Sequence, residues 1–480
     1  MQEFDVVVIG AGAVGENVAD RAAQGGLSVA LVEAELVGGE CSYWACMPSK
    51  ALLRSATVLR EAQRLPGAAQ AVTGELDVPA VFARRNSFTS DWDDSGQVEW
   101  VVGAGIDLIR GHAVFTGVKE LLVTAPDGTR TPVRARHAIA ISTGSAALLP
   151  DIPGLSEARP WTSRDATSAK QAPKRLLVVG GGTVGVEMAT AYAGFGTAVT
   201  LLSRGPLLAN QEPFAGDLVT ESLRELGVDV RLGVSAERIE RGDDGVVRAT
   251  LPGGEIVEAD EVLVAIGRTP RTGDLGLETL GLEPGAWLDV DDTMLVQGPD
   301  GHALEGEWLY ATGDVNHRAL LTHQGKYQAR AAGDAIAARA KGLPVDDAPW
   351  GRHVATADHA SVPQVTFSDP EVASVGLTAA AAEKAGLRVR VVDYEIGNVA
   401  GASVHLDGYK GTARMVVDED RGVIVGATFV GADVADLLHS ATVAVVGEVP
   451  VKRLWHAVPS YPTISEVWLR LLETYGRDSA

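Results

Sequence analysis

The chain has 480 residues, 46 % hydrophobic and 22 % charged, the balance of a globular protein with a sizeable core in roughly two to four domains. A formal net charge of −22 argues against nucleic acid and anionic membrane surfaces as partners. No apolar run approaches the ~20 residues of a membrane span, and the N-terminus lacks a basic start and a cleavage site, so a soluble, cytoplasmic protein is expected.

The first element is "FDVVVIGAGAVGENVADRAAQGGLSVALVE", ending at Glu33. It reads as an apolar strand, a glycine-rich turn, a helix and a second strand, which is a βαβ unit with a dinucleotide fingerprint. Gly10 permits the tight turn, Gly12 a close approach to pyrophosphate, and Gly15 close packing of helix on strand. Glu33 stands where a carboxylate accepts hydrogen bonds from a ribose.

Next comes "GGECSYWACMPSK", Gly38 to Lys50, with Cys41 and Cys46, the only cysteines of the chain. Two thiols are too few for a closed zinc site, and a reducing cytosol disfavours a structural staple. The segment runs into "MPSKALLRSATVLREAQRL", read as a helix with Pro48 in its first turn. A thiol at a helix N-terminus is stabilised as thiolate, so the pair reads as a redox couple; two inert buried thiols are the alternative.

The proline-rich "LLPDIPGLSEARP" reads as a linker. The βαβ unit then recurs as "KRLLVVGGGTVGVEMATAYAGFGTAVTLLSR" from Lys174, with Gly180, Gly182 and Gly185 in the three glycine roles. Its second strand ends in Ser203 and Arg204 rather than an acid. A guanidinium in place of a carboxylate favours a 2′-phosphate, so NADPH is expected over NADH; a merely solvated Arg204 would leave NADH. A second linker, "KGLPVDDAPWGRH", precedes a last region of strands ("PQVTFSD", "ARMVVDE", "GVIVGATFV") and helices ("VADLLHSATVAVV", "ISEVWLRLLETY").

Together these motifs resemble the FAD-dependent pyridine nucleotide-disulfide oxidoreductases, the family of lipoamide dehydrogenase, glutathione reductase and mercuric reductase, over essentially the whole chain. The resemblance implies an α/β fold: two Rossmann-like dinucleotide-binding domains and a C-terminal α+β dimerisation domain. It implies an FAD domain split over 1–150 and 273–345, an NAD(P)H domain at 151–272 and dimerisation through 351–480. "ISTGS" brings Thr143 and Gly144 to the FAD site, and "YATGD" brings Gly313 and Asp314, the latter for the ribityl chain. "VAIGRTPRT", containing Gly267, matches the return from the nucleotide domain, and "VPQVTFSDPEVASVGLT" the start of the dimerisation domain.

By the same resemblance Cys46 lies nearer the flavin and Cys41 attacks the substrate. Lys50 pairs with Glu187 near the flavin, unless it is a surface lysine. The family's acid-base histidine, in "HPTxxE" of the partner subunit, is replaced here: "LWHAVPSYPTISEVWL" puts Tyr461 at its place and aligns Glu466 with the glutamate. With a pKa near 10, tyrosine is a poor base at neutral pH, and His456, five positions earlier, has no natural reach. Tyr43 and Trp44, where the family has small or aliphatic residues, would line the pocket or fill the interface, and Glu40 replaces a threonine.

The expectation is a homodimer with active sites shared between subunits, passing electrons from NADPH through FAD to Cys41–Cys46 and on to a small disulfide-type acceptor, with no bound metal. The rivals are direct flavin-to-quinone or electrophile transfer, a mercuric-reductase-like activity, and a non-catalytic redox sensor. The first is favoured by the missing histidine, and the second is opposed by the missing C-terminal cysteines.

Overall fold

The computed structural model describes residues 1–477, which divide into two compact units. The first comprises Met1–Pro48, Asn86–Ala147 and Arg268–His359. Its central strand β1 (Gln2–Ile9) pairs in parallel with β2 (Val29–Glu33) on one side and with Arg130–Ile141 on the other. Residues Val6 to Ile9 are all buried, as the continuous apolar run demands of a strand covered on both faces. Val6 and Val8 enter one core with Val18 and Ala22 of helix α1 (Ala13–Gln24) and with Ala332 and Ile336 of the helix Thr322–Ala340. Val7 and Ile9 face the other way, toward Phe115, Leu121 and Trp308. The two helices pack tightly where side chains are small: a Cβ at Gly325 would come within 2.5 Å of Val14 Cγ2.

The second unit comprises Ser49–Arg85, Leu148–Gly267 and the chain from Ala360. Its parallel sheet has the order Asp229–Leu232, Ala198–Ser203, Arg175–Val179, Glu261–Val264, with the helix Thr183–Gly194 between the middle two strands in sequence. A three-stranded antiparallel sheet (238–259) accompanies it. The C-terminal region is a five-stranded antiparallel sheet, in which Val423–Gly431 is central and wholly buried. The helices Leu438–Val446 and Val467–Tyr475 contribute to its core. All the strands and helices read from sequence in this region are present, joined by two strands that motifs did not mark, Glu371–Gly376 and Val389–Glu395. No helix among the described residues is long and apolar enough to cross a membrane.

Glu371 illustrates the cost of burial in this unit. Its carboxyl is pushed up to about 7 by burial, against a hydrogen bond from the Ala435 N–H and with further acid pressure from Asp433, Asp436 and Glu61. A folded value above the unfolded 4.5 means that its stabilising contribution is complete at low pH and is lost as pH rises through about 7. Glu371→Gln is therefore expected to raise stability by about 1–2 kcal/mol at pH 8 and by little at pH 5, measurable from thermal midpoints at the two pH values.

Candidate active site

Both glycine-rich turns have the shape that a dinucleotide requires. Gly10 has φ +98°, and a Cβ there would meet the Ser142 carbonyl oxygen at 2.5 Å. Gly15 and Gly185 lie under their turns, where a Cβ would fall 1.8 Å from the Gly10 oxygen and 2.0 Å from the Gly180 oxygen. Gly12 and Gly182 cap α1 and the Thr183–Gly194 helix, neither cap using a side chain. The space at Gly182 is open, and only Gly39 Cα, at 3.9 Å, stands near Gly12. Each helix thus presents backbone N–H groups to a phosphate.

At the end of β2, Glu33 Oε2 accepts from the Ala11 N–H at 2.6 Å and Oε1 from the Glu35 N–H at 2.7 Å. Burial pushes its carboxyl up against these bonds. In the second unit Ser203 is buried, whereas Arg204 is exposed and forms no hydrogen bond or ion pair among the described residues. Its guanidinium is free to meet an anionic group. Gly267, with φ +156°, accepts the Leu148 N–H at 3.0 Å.

The two FAD-site segments are hydrogen-bonded to each other. Ser142 Oγ and Thr312 Oγ1 are 2.8 Å apart, and Ser145 Oγ donates to Asp314 Oδ2 at 2.5 Å. Thr143 Oγ1 donates to the Arg271 carbonyl at 2.7 Å, and Gly144 and Gly313 adopt φ +72° and +76°. Asp314 is pushed up by burial and held by Ser145 and Arg268. Arg268 and Arg271 also lie 4.0 and 3.9 Å from the two oxygens of Glu40. The acid that departs from the family's threonine is thereby matched by two cations, a pairing that no short motif announced.

The cysteines occupy two short helical starts. Cys41 lies in α2 (Gly39–Tyr43), and Cys46 opens α3 (Cys46–Arg64), with Pro48 in its first turn as expected. Left-handed Gly38 and Gly39 bring α2 against the α1 cap: a Cβ at Gly39 would lie 2.6 Å from Gly12 Cα. Both residues carry thiols rather than a disulfide. Cys46 Sγ is 3.3 Å from Thr322 Oγ1, at the N-terminus of the Thr322–Ala340 helix. The Cys41 thiol is pushed well up, first by hydrogen bonding to the Cys46 sulfur and then by burial, while Thr322 and Lys326 act in the opposite sense. Two helix N-termini thus meet at the Cys46 sulfur, and the Thr322 hydroxyl bears on the Cys41 thiol as well. Thr322 was not among the residues chosen from sequence; its only signal is its place as first residue of a helix.

In the second unit Lys50 Nζ lies 2.8 and 3.1 Å from the Glu187 carboxylate oxygens. Glu187 is 3 % exposed, and its Oε1 also accepts the Phe367 N–H at 2.9 Å. Lys50 is therefore a paired residue rather than a plain surface lysine, and Phe367, over whose ring Nζ sits at 4.8 Å, completes the group.

The C-terminal candidates are separate from one another. Tyr461 is 75 % exposed, and His456 is exposed too. Glu466 is buried: Oε1 accepts from Arg470 at 2.6 Å, and Oε2 has no hydrogen-bond partner. No bond joins Tyr461 to Glu466 among the described residues. Tyr43 takes neither place considered for it, being 1 % exposed within the first unit, with its hydroxyl 3.2 Å from Gln97 Oε1 and its ring edge-on to Trp44.

Comparison with known proteins agrees with this geometry. Residues 4–335 match the family model for pyridine nucleotide-disulphide oxidoreductases, and residues 362–471 match the dimerisation domain of the same family. The chain belongs to this family. It is 32 % identical to a dihydrolipoyl dehydrogenase of Haloferax volcanii, over 98 % of this chain and 95 % of that one. It is 30 % identical to a mercuric reductase of Staphylococcus aureus, over 99 % and 83 %. Its fold is similar to that of the HOCl-induced flavoprotein disulfide reductase RclA from Escherichia coli, solved as a Cu(II) complex, with TM-score 0.83, 24 % identity and 98 % and 99 % coverage. The family binds FAD and uses NAD(P)H, its members are enzymes, and its dimerisation domain supports a homodimer. The open caps at Gly12 and Gly182 and the two close-packed turns fit those nucleotides.

Proposed function

We propose that the protein is a homodimeric disulfide reductase in which electrons from NADPH reach the Cys41–Cys46 pair and pass to a small disulfide-type acceptor. The FAD site draws on Gly10, Gly12, Gly15, Glu33, Thr143, Gly144, Gly313 and Asp314 in 1–150 and 273–345. The NADPH site draws on Gly180, Gly182, Gly185, Ser203, Arg204 and Gly267 in 151–272, and dimerisation uses 351–480. Bound FAD supplies the two-electron link between nicotinamide and disulfide. Lys50 and Glu187 hold a fixed charge pair for that site, while Tyr461 of the partner subunit closes the acceptor side and donates a hydrogen bond.

The observation that carries this reading is the placement of the two sulfurs. Cys46 opens α3 and lies 3.3 Å from the Thr322 hydroxyl at a second helix N-terminus, which supports an anion there, while hydrogen bonding to Cys46 and burial push the Cys41 thiol up. Anaerobic oxidation of NADPH and NADH against a panel of disulfides and quinones tests it. Disulfide turnover, with kcat/KM for NADPH at least about tenfold above NADH, is expected.

A second reading, direct transfer to a quinone or other electrophile, is favoured by the isolation of Tyr461 from Glu466, since no proton relay like the family's His–Glu pair is assembled. It predicts turnover with quinones alone. A metal-ion acceptor finds less support, because the chain holds no cysteines besides Cys41 and Cys46 to deliver a metal to the pair.

A further inference from the structure

The turn that carries Asp314 is held by two sets of hydrogen bonds. One comes from Ser142 and Ser145, which meet Thr312 and Asp314. In the other, the N–H of left-handed Gly313 donates to Gln328 Oε1 at 2.8 Å, and Asn316 Nδ2 donates to the same oxygen at 2.9 Å. Gln328 lies in the Thr322–Ala340 helix and is fully buried. Its Nε2 donates to Asp358 Oδ2 at 2.8 Å, and Gln324 Nε2, one turn earlier, donates to Asp358 Oδ1 at 2.7 Å. Asp358 ends the short helical turn Thr356–Asp358, and its side chain is 1 % exposed. Arg318 Nε stands 3.3 Å from Oδ2, and the Arg318 N–H returns to Asn316 Oδ1 at 3.1 Å. Gln328, Asp358, Arg318 and Asn316 thus close a ring within the first unit.

The direction of these bonds is forced. A backbone N–H only donates and an ionised carboxylate only accepts. Gln328, between the two, must turn its carbonyl to Gly313 and its amide to Asp358. Rotated by half a turn, it would set donor against donor and acceptor against acceptor, out of reach of water. Burial pushes the Asp358 carboxyl up, while Gln328, Gln324, Arg318 and His359 favour its ionised form.

We propose that Asp358 is a positioning residue for the flavin site: its carboxylate fixes the Gln328 amide, whose carbonyl holds the Gly313 turn in the shape that meets FAD. This rests on the reading that places Gly313 and Asp314 at FAD and extends it to a residue outside that turn. Through Gln324 the same carboxylate ties down the start of the helix, two residues after Thr322, the hydroxyl neighbour of Cys46. One buried carboxylate braces both the flavin turn and the helix end at the sulfur pair.

The test reverses the polarity of one bond and reads the dissociation constant for FAD, from flavin recovered in ultrafiltrates of holoprotein over a dilution series. Gln328→Glu turns the donor facing Asp358 into an acceptor and is expected to raise that constant about tenfold or more. Adding Asp358→Asn makes the facing group a donor again. Its amide nitrogen gives to the new carboxylate, its oxygen still accepts from Gln324, and Gly313 keeps its acceptor at unchanged net charge. The double variant is expected to bind FAD within about threefold of the parent. Gln328→Met, which deletes the acceptor without adding a charge, should weaken FAD as Gln328→Glu does and serves if the charged variant does not fold. A merely structural loss would lower the thermal midpoint at saturating FAD but leave the dissociation constant of the folded protein unchanged. The proposal is overturned if the single Gln328 variants bind FAD within about twofold of the parent, or if Asp358→Asn restores nothing to Gln328→Glu. Asp314→Asn, made in parallel, separates this from the reading beneath it. If that variant binds FAD as the parent does while Gln328→Glu does not, the role given to Asp314 falls and that of Asp358 stands. If it weakens FAD while Gln328→Glu does not, the flavin site stands and Asp358 has no part in it. Far-UV circular dichroism at saturating FAD confirms that each variant is folded.

Discussion

Cys41→Ser is expected to abolish disulfide reduction, with a fall in turnover on the order of 10⁴-fold or more, because a hydroxyl is a far weaker nucleophile than a thiolate at neutral pH. NADPH should still bleach the yellow holoprotein, since neither dinucleotide turn touches this side chain. The measurement is anaerobic NADPH consumption with the best disulfide of the panel, beside a single-turnover record of the bleaching. Disulfide turnover surviving in the serine variant would mean that the pair in "GGECSYWACMPSK" is not the route of the electrons. Quinone turnover surviving alone would assign that activity to direct transfer. Cys46→Ser should be equally inactive toward disulfides for a different reason: its mixed disulfide with the acceptor has no resolving sulfur.

Lys50→Met should produce the largest loss of stability among single changes at the site. It removes both ammonium contacts from Glu187 and leaves a buried carboxylate with the Phe367 N–H as its remaining hydrogen-bond donor. Stranding a buried charge costs about 3–5 kcal/mol. Lys50 keeps 37 % of its side chain open to solvent, so water screens part of the pair, and a cost of about 2–3 kcal/mol is the reasonable figure. Glu187→Gln should cost less, because the lysine left behind can be solvated. The double variant Lys50→Met/Glu187→Leu should recover part of the loss. Thermal midpoints of the four proteins at one scan rate close the cycle. Equal losses for Lys50→Met and Glu187→Gln would show that packing, not the stranded charge, governs the pair.

Local pattern carried the nucleotide sites into the open. A buried parallel strand must be apolar throughout, a turn that approaches a phosphate must lack Cβ atoms, and both demands fall on consecutive residues. Gly10, Gly12 and Gly15, their counterparts at Gly180, Gly182 and Gly185, and the second strands ending in Glu33 and Ser203 were therefore visible as strings. So was the helix start at Cys46, since Pro48 and the apolar period after it are local signals, whereas the short helix holding Cys41 was not read from sequence. The Lys50–Glu187 pair was reached through the family resemblance, because no spacing rule links residues 137 positions apart.

What only the tertiary structure decided are the charges and hydrogen bonds that arrive from distant segments. Thr322 reaches Cys46 across 276 positions. Arg268 and Arg271 come to Glu40. Tyr43, read from sequence as a pocket or interface residue, is buried against Gln97 because the left-handed turn at Gly38 and Gly39 aims α2 inward. The reason is common to all of them. Backbone conformation answers to neighbours a few residues away, whereas the ionisation of a side chain answers to whatever charge, donor or apolar surface the fold sets within a few ångströms of it.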